Sequence, residues 1–247
     1  MKKLLKIFVA LLPFLSLSIS FNSNENEFIR FEPIAKKATT VDDYFSDIDA
    51  FSLSREQLFN KLQSKVWDGW KRQSYDALDS AFIETDFVNG YLVDIYSNTS
   101  RLTPSSTGNY KNEGDTWNKE HLIPKSWWGG SKGGPNGEGG DMFNMYPTDG
   151  KINGMRSNYV LGETSNPTNT SNNGYSKLGP SSFSGYDGIV FEPNDEWKGN
   201  IARSYFYFAL KYVTYTNSSY TEGNGKDVFN KTGTYGLTDY LTSLFLK

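Results

Sequence analysis

The chain of 247 residues contains no cysteine and a single histidine. The absence of cysteine excludes disulfide bridges, thiolate metal sites and a cysteine nucleophile. One histidine excludes every metal centre that needs several imidazole ligands. Apolar runs are short, and none reaches the roughly 20 residues of a membrane-spanning helix. Aromatic residues, by contrast, make up 16% of the chain, which predicts a folded protein with a sizeable core.

The first 20 residues have the pattern of a secretory signal peptide. Three lysines precede an apolar run from Ile7 to Leu17, and a small-x-small sequence follows at 18–20;. We expect cleavage near Ser20, secretion to the extracellular space or the periplasm, and no membrane attachment afterwards. Removal of the three lysines shifts the formal net charge from −3 to −6. The mature chain therefore has no overall basic excess that would itself point to nucleic acid.

Residues 21–45 are polar and lack periodicity, so we expect a leader or linker followed by one folded domain at 46–247. The spacing of apolar residues predicts helices near 54–66, 74–83, 147–156, 197–213 and 237–246;. Alternating residues predict strands near 91–96 and 115–123;. Because helices and strands mix without βαβ regularity, the predicted fold class is α+β.

Two polar segments fit no regular element. The glycine-rich stretch from Gly129 to Gly140 holds seven glycines in twelve residues and is expected to be a solvated connector. The stretch from Thr164 to Tyr186 is rich in Ser, Asn, Gly and Pro. We expect it to be a long surface insertion.

The residues suited to phosphodiester hydrolysis are concentrated in two segments. His121 directly follows Glu120, and a second polar segment at 141–159 contains Asn153 and Arg156. A neutral imidazole can accept a proton from water near pH 7. A carboxylate and a carboxamide supply the hard oxygen ligands that Mg²⁺ or Ca²⁺ prefers. The Arg156 guanidinium is a fixed positive charge that suits either contact with phosphate or orientation of the site.

Three longer sequences extend this pattern: WNKEHLIPKSW at 117–127, MYPTDGKINGMRSNY at 145–159 and KGNIARSYFYFALKY at 198–212. Together they resemble the bacterial endonuclease I family of secreted or periplasmic nucleases. The resemblance implies a ββα-metal (His-Me finger) core surrounded by helices in an α+β domain. It also implies that His121 is the general base and that Glu120 and Asn153 hold Mg²⁺, with Ca²⁺ or Mn²⁺ as alternatives. The implied substrate is DNA, and often RNA too, cleaved with little sequence preference to leave 5′-phosphate ends.

Other residues of these segments are weaker candidates for substrate contact. Lys125 and Arg203 could reach phosphate, Asn158 follows the second motif, and Trp127 could stack on a base. Many relatives have histidine where this chain has Phe143, so this site can neither titrate nor bind metal here. Some relatives carry an arginine between the two motifs, where this chain has only lysines. The cation that stabilises the transition state is therefore left open.

One geometric condition applies to the predicted site. Neighbouring side chains on a regular strand point to opposite faces, so Glu120 and His121 can serve one site only at a bulge or a strand end. Two other functions fit parts of the sequence: a carbohydrate-binding or adhesion module with exposed aromatic rings, and a glycoside hydrolase using Glu120 and Asp141. Both leave His121 and Asn153 without a role. We expect a monomer.

Overall fold

The computed structural model describes residues 44–213, 220, 225–230 and 236–247, together with the backbone at 17–18 and 32–33. The expected signal peptide and leader therefore lie almost entirely outside the described residues. The chain divides into two compact units, Met1–Asp68 and Gly69–Lys247. No helix in the described part of the chain is both long enough and apolar enough to span a membrane.

The helices and strands alternate irregularly along the chain, which confirms the α+β class. The α-helices are α1 (Arg55–Trp67), α2 (Leu78–Thr85), α3 (Gly150–Arg156), α4 (Asp195–Tyr212) and α5 (Asp239–Phe245). The strands are β1 (Leu17–Ser18), β2 (Glu32–Pro33), β3 (Phe87–Val88), β4 (Tyr91–Leu92), β5 (Trp117–His121), β6 (Met145–Asp149), β7 (Val160–Leu161), β8 (Asn169–Thr170), β9 (Lys177–Pro180) and β10 (Ile189–Glu192). Short 3₁₀ turns lie at Lys125–Trp127, Glu138–Gly140 and Asn172–Gly174.

Helix α1 begins where its sequence predicts. Ser54 accepts a hydrogen bond from the Gln57 backbone N–H, and the Gln57 side chain accepts one from the Ser54 backbone N–H. This reciprocal capping box satisfies two donors that the first turn would otherwise leave unpaired. The helix buries Leu58 and Leu62, which are one turn apart;.

An antiparallel strand pair followed directly by a helix forms the centre of the second unit. Strand β5 pairs with β6 in a register that runs from Trp117 opposite Asp149 to His121 opposite Met145. Asp149 ends the ladder, and its Oδ1 accepts hydrogen bonds from the Lys151 and Ile152 backbone N–H groups, which caps α3;. The pair and helix are therefore joined at one residue.

This joint differs from the sequence-based expectation of a helix starting at Pro147. Pro147 lies in β6 opposite Lys119. Neither strand has a second neighbour in its two-stranded sheet, so an edge position that needs no N–H donor is available to proline. The Asp149 carboxylate then decides where the helix begins, because it supplies the acceptor that the first turn needs.

The stretch expected to be a surface insertion instead supplies part of a sheet. Strands β8 and β9 pair with each other, β9 pairs with β10, and β10 runs parallel to β7, giving the order β7-β10-β9-β8. Buried Ser171 and Ser176 tie the β8–β9 connection together, because the Ser176 N–H donates to the Ser171 hydroxyl. Polar composition hid this hairpin, since several of its hydroxyl side chains bond to the backbone;.

Helix α4 runs through the core, as its periodicity predicts, and most of its residues from Ile201 to Tyr212 are buried. It also buries a charge: Lys211 Nζ lies 2.9 Å from Asp141 Oδ2, and both residues are almost inaccessible. The Tyr207 and Tyr212 hydroxyls donate to the same carboxylate oxygen. The charge pair is therefore hydrogen-bonded as well as neutralised, the condition under which buried charges are tolerated.

Candidate active site

His121 is the last residue of β5, and a backbone carbonyl fixes its ring. The imidazole Nε2 lies 3.1 Å from the Lys132 carbonyl oxygen. A carbonyl can only accept, so Nε2 donates the proton and Nδ1 keeps its lone pair in the neutral ring. The described residues provide no hydrogen bond to Nδ1. The ring is thus held in the form that can accept a proton at Nδ1.

Aromatic rings surround the same imidazole. The Tyr75 ring stacks on it nearly parallel, at 5.5 Å between centroids, and the Trp128 ring is tilted at the same distance. Burial lowers the pKa of His121 to about 4; the Lys132 carbonyl opposes this shift, and the charges of Lys125, Arg156 and Lys132 add to it. The ring is therefore neutral at pH 7.

Glu120 is buried and tied into a polar network. Its Oε1 accepts a hydrogen bond from the Tyr96 hydroxyl at 2.9 Å and lies 3.3 Å from the Arg156 Nε. Only 3% of Glu120 is exposed. Burial raises its pKa to about 7, although Arg156 and the Tyr96 hydroxyl oppose that change. Its second carboxylate oxygen, Oε2, takes part in neither contact.

Arg156 has no exposed surface. Its Nη2 donates to the Leu122 carbonyl at 2.6 Å, and its Nη1 donates to the Ser157 carbonyl at 3.0 Å. The Tyr205 hydroxyl also donates to the Leu122 carbonyl, at 3.2 Å. Of the two roles that the sequence left open for Arg156, contact with phosphate requires exposure that the residue lacks. The geometry fits the other role, which is to orient Glu120.

Asn153 lies on α3, three residues before Arg156, so the two side chains share one face of the helix;. It is half-buried, and no hydrogen bond to its carboxamide is found among the described residues. Its oxygen and the Glu120 carboxylate are both hard oxygen donors. Mg²⁺ commonly takes one or two carboxylates and keeps several waters, so these two residues fit a hydrated Mg²⁺. The described residues contain no cluster of three or more His, Asp or Glu side chains suited to a metal.

The pleat of β5 separates Glu120 from His121. The register stays regular through both residues, so no bulge brings the two side chains to one face, although His121 does lie at the strand end. Arg156, which contacts Glu120, also contributes with its charge to the lowered pKa of His121. The structure thus assembles Glu120 with Arg156 and places His121 on the opposite face of the strand;.

The weaker candidates differ in accessibility. Lys125 and Asn158 are exposed, and Asn158 Nδ2 lies 3.4 Å from the Ser126 hydroxyl. Arg203 is half-buried and bonded to the Asn200 side chain. Trp127 is only 1% exposed and packs edge-on against Phe229. The burial of Trp127 therefore favours packing over stacking on a base, for which Trp127 was only a weak candidate.

Sequence reasoning missed three groups that organise the site. Tyr96 holds Glu120, Tyr75 covers His121, and the Lys132 carbonyl orients the ring. Neither tyrosine lies in a chemical motif, so no signal marked it. The density of glycine at 129–140 was a signal for close backbone approach, which the expectation of a solvated connector overlooked.

Comparison with known proteins identifies the family. The Endonuclease I family model matches residues 50–247. The chain belongs to the Endonuclease I family. It is also similar to extracellular ribonucleases of Bacillus subtilis (strain 168) and Bacillus amyloliquefaciens, each 32% identical over 152 residues.

Those alignments cover 60% of this chain and 47% of each ribonuclease, so the chain matches about half the length of these relatives. No solved structure matches it significantly.

Proposed function

We propose that this protein is a secreted, metal-dependent endonuclease that hydrolyses phosphodiester bonds in DNA and RNA with little sequence preference. The observation that carries the proposal is the His121 ring, neutral at pH 7 and bound at Nε2 by the Lys132 carbonyl. Family membership supplies the reaction class. The names of the two Bacillus relatives support RNA as a substrate and export from the cell.

In the proposed reaction, His121 Nδ1 takes a proton from a water molecule. That water attacks the phosphorus atom, the bond from phosphorus to the 3′-oxygen breaks, and the leaving oxygen takes a proton from solvent. The products carry a 5′-phosphate and a 3′-hydroxyl. General-base catalysis of this kind contributes roughly 10²–10⁴-fold in rate.

Glu120 and Asn153 would hold the divalent ion, for which we propose Mg²⁺, with Ca²⁺ or Mn²⁺ as substitutes. When bound, the ion supplies positive charge against the negative charge that develops on the phosphoryl oxygens. Arg156 and Tyr96 keep the Glu120 carboxylate in place through their contacts with Oε1. The hairpin β5–β6 with α3 is the part of this structure that we assign as the ββα-metal core.

Exposed cations near His121 would receive the substrate. Lys125 and Lys132 are exposed, and Lys132 Nζ lies 5.5 Å from the centroid of the Tyr75 ring. Such a group of lysines offers phosphate contacts in an otherwise acidic chain. We propose that Lys125 and Asn158 contact the backbone of the nucleic acid and that the protein acts as a monomer.

The test compares cleavage of plasmid DNA and of RNA by the purified protein with Mg²⁺ and with EDTA. We expect cleavage only with the metal and a loss of about 10²–10⁴-fold in the His121→Ala variant. Asp187→Ala, at an exposed position between β9 and β10, should cleave like the wild type. Full activity of the His121→Ala variant would reject the mechanism, and no cleavage by the wild type would reject the function.

A further inference from the structure

The glycine loop, defined here as Lys132–Gly140, is packed and does not form the solvated connector expected from its composition. Glu138, Gly139 and Gly140 are buried. Gly139 N–H donates to the Gly133 carbonyl at 3.2 Å, and Gly140 N–H donates to the Gly137 carbonyl at 3.0 Å. The loop is therefore folded back on itself, with both of its ends in contact.

Glu138 closes this loop. Its carboxylate accepts hydrogen bonds from the Asn136 backbone N–H at 2.8 Å, from Asn136 Nδ2 at 2.9 Å and from the Tyr220 hydroxyl. Such bonds to an ionised acceptor are stronger than neutral ones. A buried carboxylate with three donors fixes the backbone around it, so the turn at 136–138 has one arrangement.

Asn144 connects the loop to the catalytic strand. Its Nδ2 donates to the Glu138 carbonyl at 3.0 Å, and its Oδ1 accepts from the Ile123 N–H at 2.9 Å. Its own carbonyl accepts from the Leu122 N–H at 3.0 Å. One buried side chain therefore holds the loop and the chain just after His121 at a fixed separation.

The closest approach in the loop involves the atom that orients His121. A Cβ placed on Gly139 would lie 1.7 Å from the Lys132 carbonyl oxygen, far inside the contact distance of real Cβ atoms. The Lys132 carbonyl is the group that binds the His121 Nε2. Only glycine at 139 lets the backbone lie against this carbonyl without displacing it.

We propose that the glycine loop selects the tautomer of His121 and that Gly139 is the positioning residue that makes this possible. The carbonyl presented by Lys132 favours the ring form with the proton on Nε2 and leaves Nδ1 ready to accept a proton. The catalytic consequence rests on the proposed nuclease function, whereas the choice of tautomer does not. Gly139 acts through Lys132 and contacts neither the substrate nor the metal.

The single histidine makes a direct measurement possible. The full chain, labelled with ¹⁵N-histidine and prepared without a histidine tag, gives ring-nitrogen signals from His121 alone. Long-range ¹H–¹⁵N spectra near neutral pH with EDTA then report which ring nitrogen carries the proton. We expect the wild-type ring to be protonated on Nε2 and unprotonated on Nδ1.

In the Gly139→Ala variant we expect signals averaged between the two tautomers and a kcat lowered about tenfold or more, with KM within about twofold, because only orientation of the base is lost. Gly130→Ala is the control: its backbone φ of +86° is strained for alanine, which Gly139 does not share, but a Cβ there meets nothing within 4 Å. It should keep the wild-type tautomer. If Gly139→Ala does not fold, Glu138→Gln loosens the same loop and should shift the tautomer in the same direction.

A wild-type ring protonated on Nδ1, or a wild-type tautomer in both loop variants, would overturn this proposal. If the expected tautomers are found but the wild type cleaves no nucleic acid, the nuclease function fails and the role of the loop stands. If the wild type cleaves nucleic acid but both loop variants keep the wild-type tautomer, the role of the loop fails and the nuclease function stands.

Discussion

Glu120 and His121 are consecutive in β5, yet their side chains have different surroundings and, in the observed register, extend to opposite faces of the strand;. Glu120 is buried between Tyr96 and Arg156, while His121 lies between Tyr75 and Trp128. At the end of β5, the buried hydrogen-bond network of Glu120 and the neutral His121 ring therefore lie on different sides of the strand. The two groups respond to different perturbations, which makes their roles separable by experiment.

The Arg156–Glu120 pair predicts a large effect on stability. In buffer well above pH 7, where Glu120 is ionised despite its raised pKa, Arg156→Met leaves a buried carboxylate without its cation, so we expect a loss of about 3–5 kcal/mol in the free energy of unfolding;. Urea unfolding followed by tryptophan fluorescence measures it. Arg101→Met, which removes an exposed guanidinium bonded to backbone carbonyls, should cost under about 1 kcal/mol.

A second substitution tests the cause of that loss. The double variant Glu120→Gln with Arg156→Met removes both charges, so it should be more stable than Arg156→Met alone. Equal stability of the two would contradict the assignment of the loss to an uncompensated charge.

Asn153 predicts an effect on metal dependence. Asn153→Ala removes one of the two proposed protein ligands, and we expect the Mg²⁺ concentration for half-maximal cleavage to rise about tenfold or more. Tyr96→Phe, which frees Glu120 Oε1 from one hydrogen bond, should move it in the same direction. Metal titrations of the cleavage rate measure both. An unchanged Mg²⁺ requirement in Asn153→Ala would remove this residue from the site.

His121 predicts a low pKa in the metal-free protein. Because burial lowers its pKa from 6.5 to about 4, the folded state binds fewer protons than the unfolded chain between those values. The contribution of His121 to stability is therefore complete above pH 6.5 and is lost as the pH falls toward 4. NMR titration of the ring with EDTA gives the pKa directly. A measured pKa at or above 6.5 would contradict this prediction, because it would mean that the ring is not buried from water.

Asp149 predicts a stability loss at the start of α3. Its two oxygens accept from Lys151 and Ile152 N–H, and from the Ser100 hydroxyl and Gly114 N–H. Asp149→Ala leaves these donors unpaired and should cost about 2–4 kcal/mol by urea unfolding. Asp115→Ala is a fair control, since Asp115 also accepts from two backbone N–H groups but is exposed. Its cost should be clearly smaller.

The sequence indicated His121, Glu120 and Asn153 because their chemistry is local and their spacing carries the motif. It also predicted α1 and α4, because helix caps and apolar periodicity depend only on residues close together in the sequence. The start of α3 was placed wrongly because two local rules competed: proline at a first helical position and aspartate at a cap. Only strand pairing, which is not local, decides between them.

The rest of the site depends on contacts distant in the chain. Tyr96 reaches Glu120 across 24 residues, and Asn144 reaches Ile123 across 21. A buried Trp127 and an exposed one have the same sequence signature, because burial is a property of the whole fold. The group of Lys132 that orients His121 is a backbone carbonyl, which every residue has, so the sequence could not single it out.

Asp149 belongs to the β5–β6 ladder and to the cap of α3 at once, which has a consequence for errors in strand pairing. A slip of β6 by one residue would turn every side chain of the ladder to the wrong face and, in the same movement, pull the carboxylate off the first turn of the helix. The two penalties are imposed together, so a misregistered hairpin cannot keep α3 intact. The correct strand pairing therefore also fixes where Asn153 on α3 lies relative to His121 on β5.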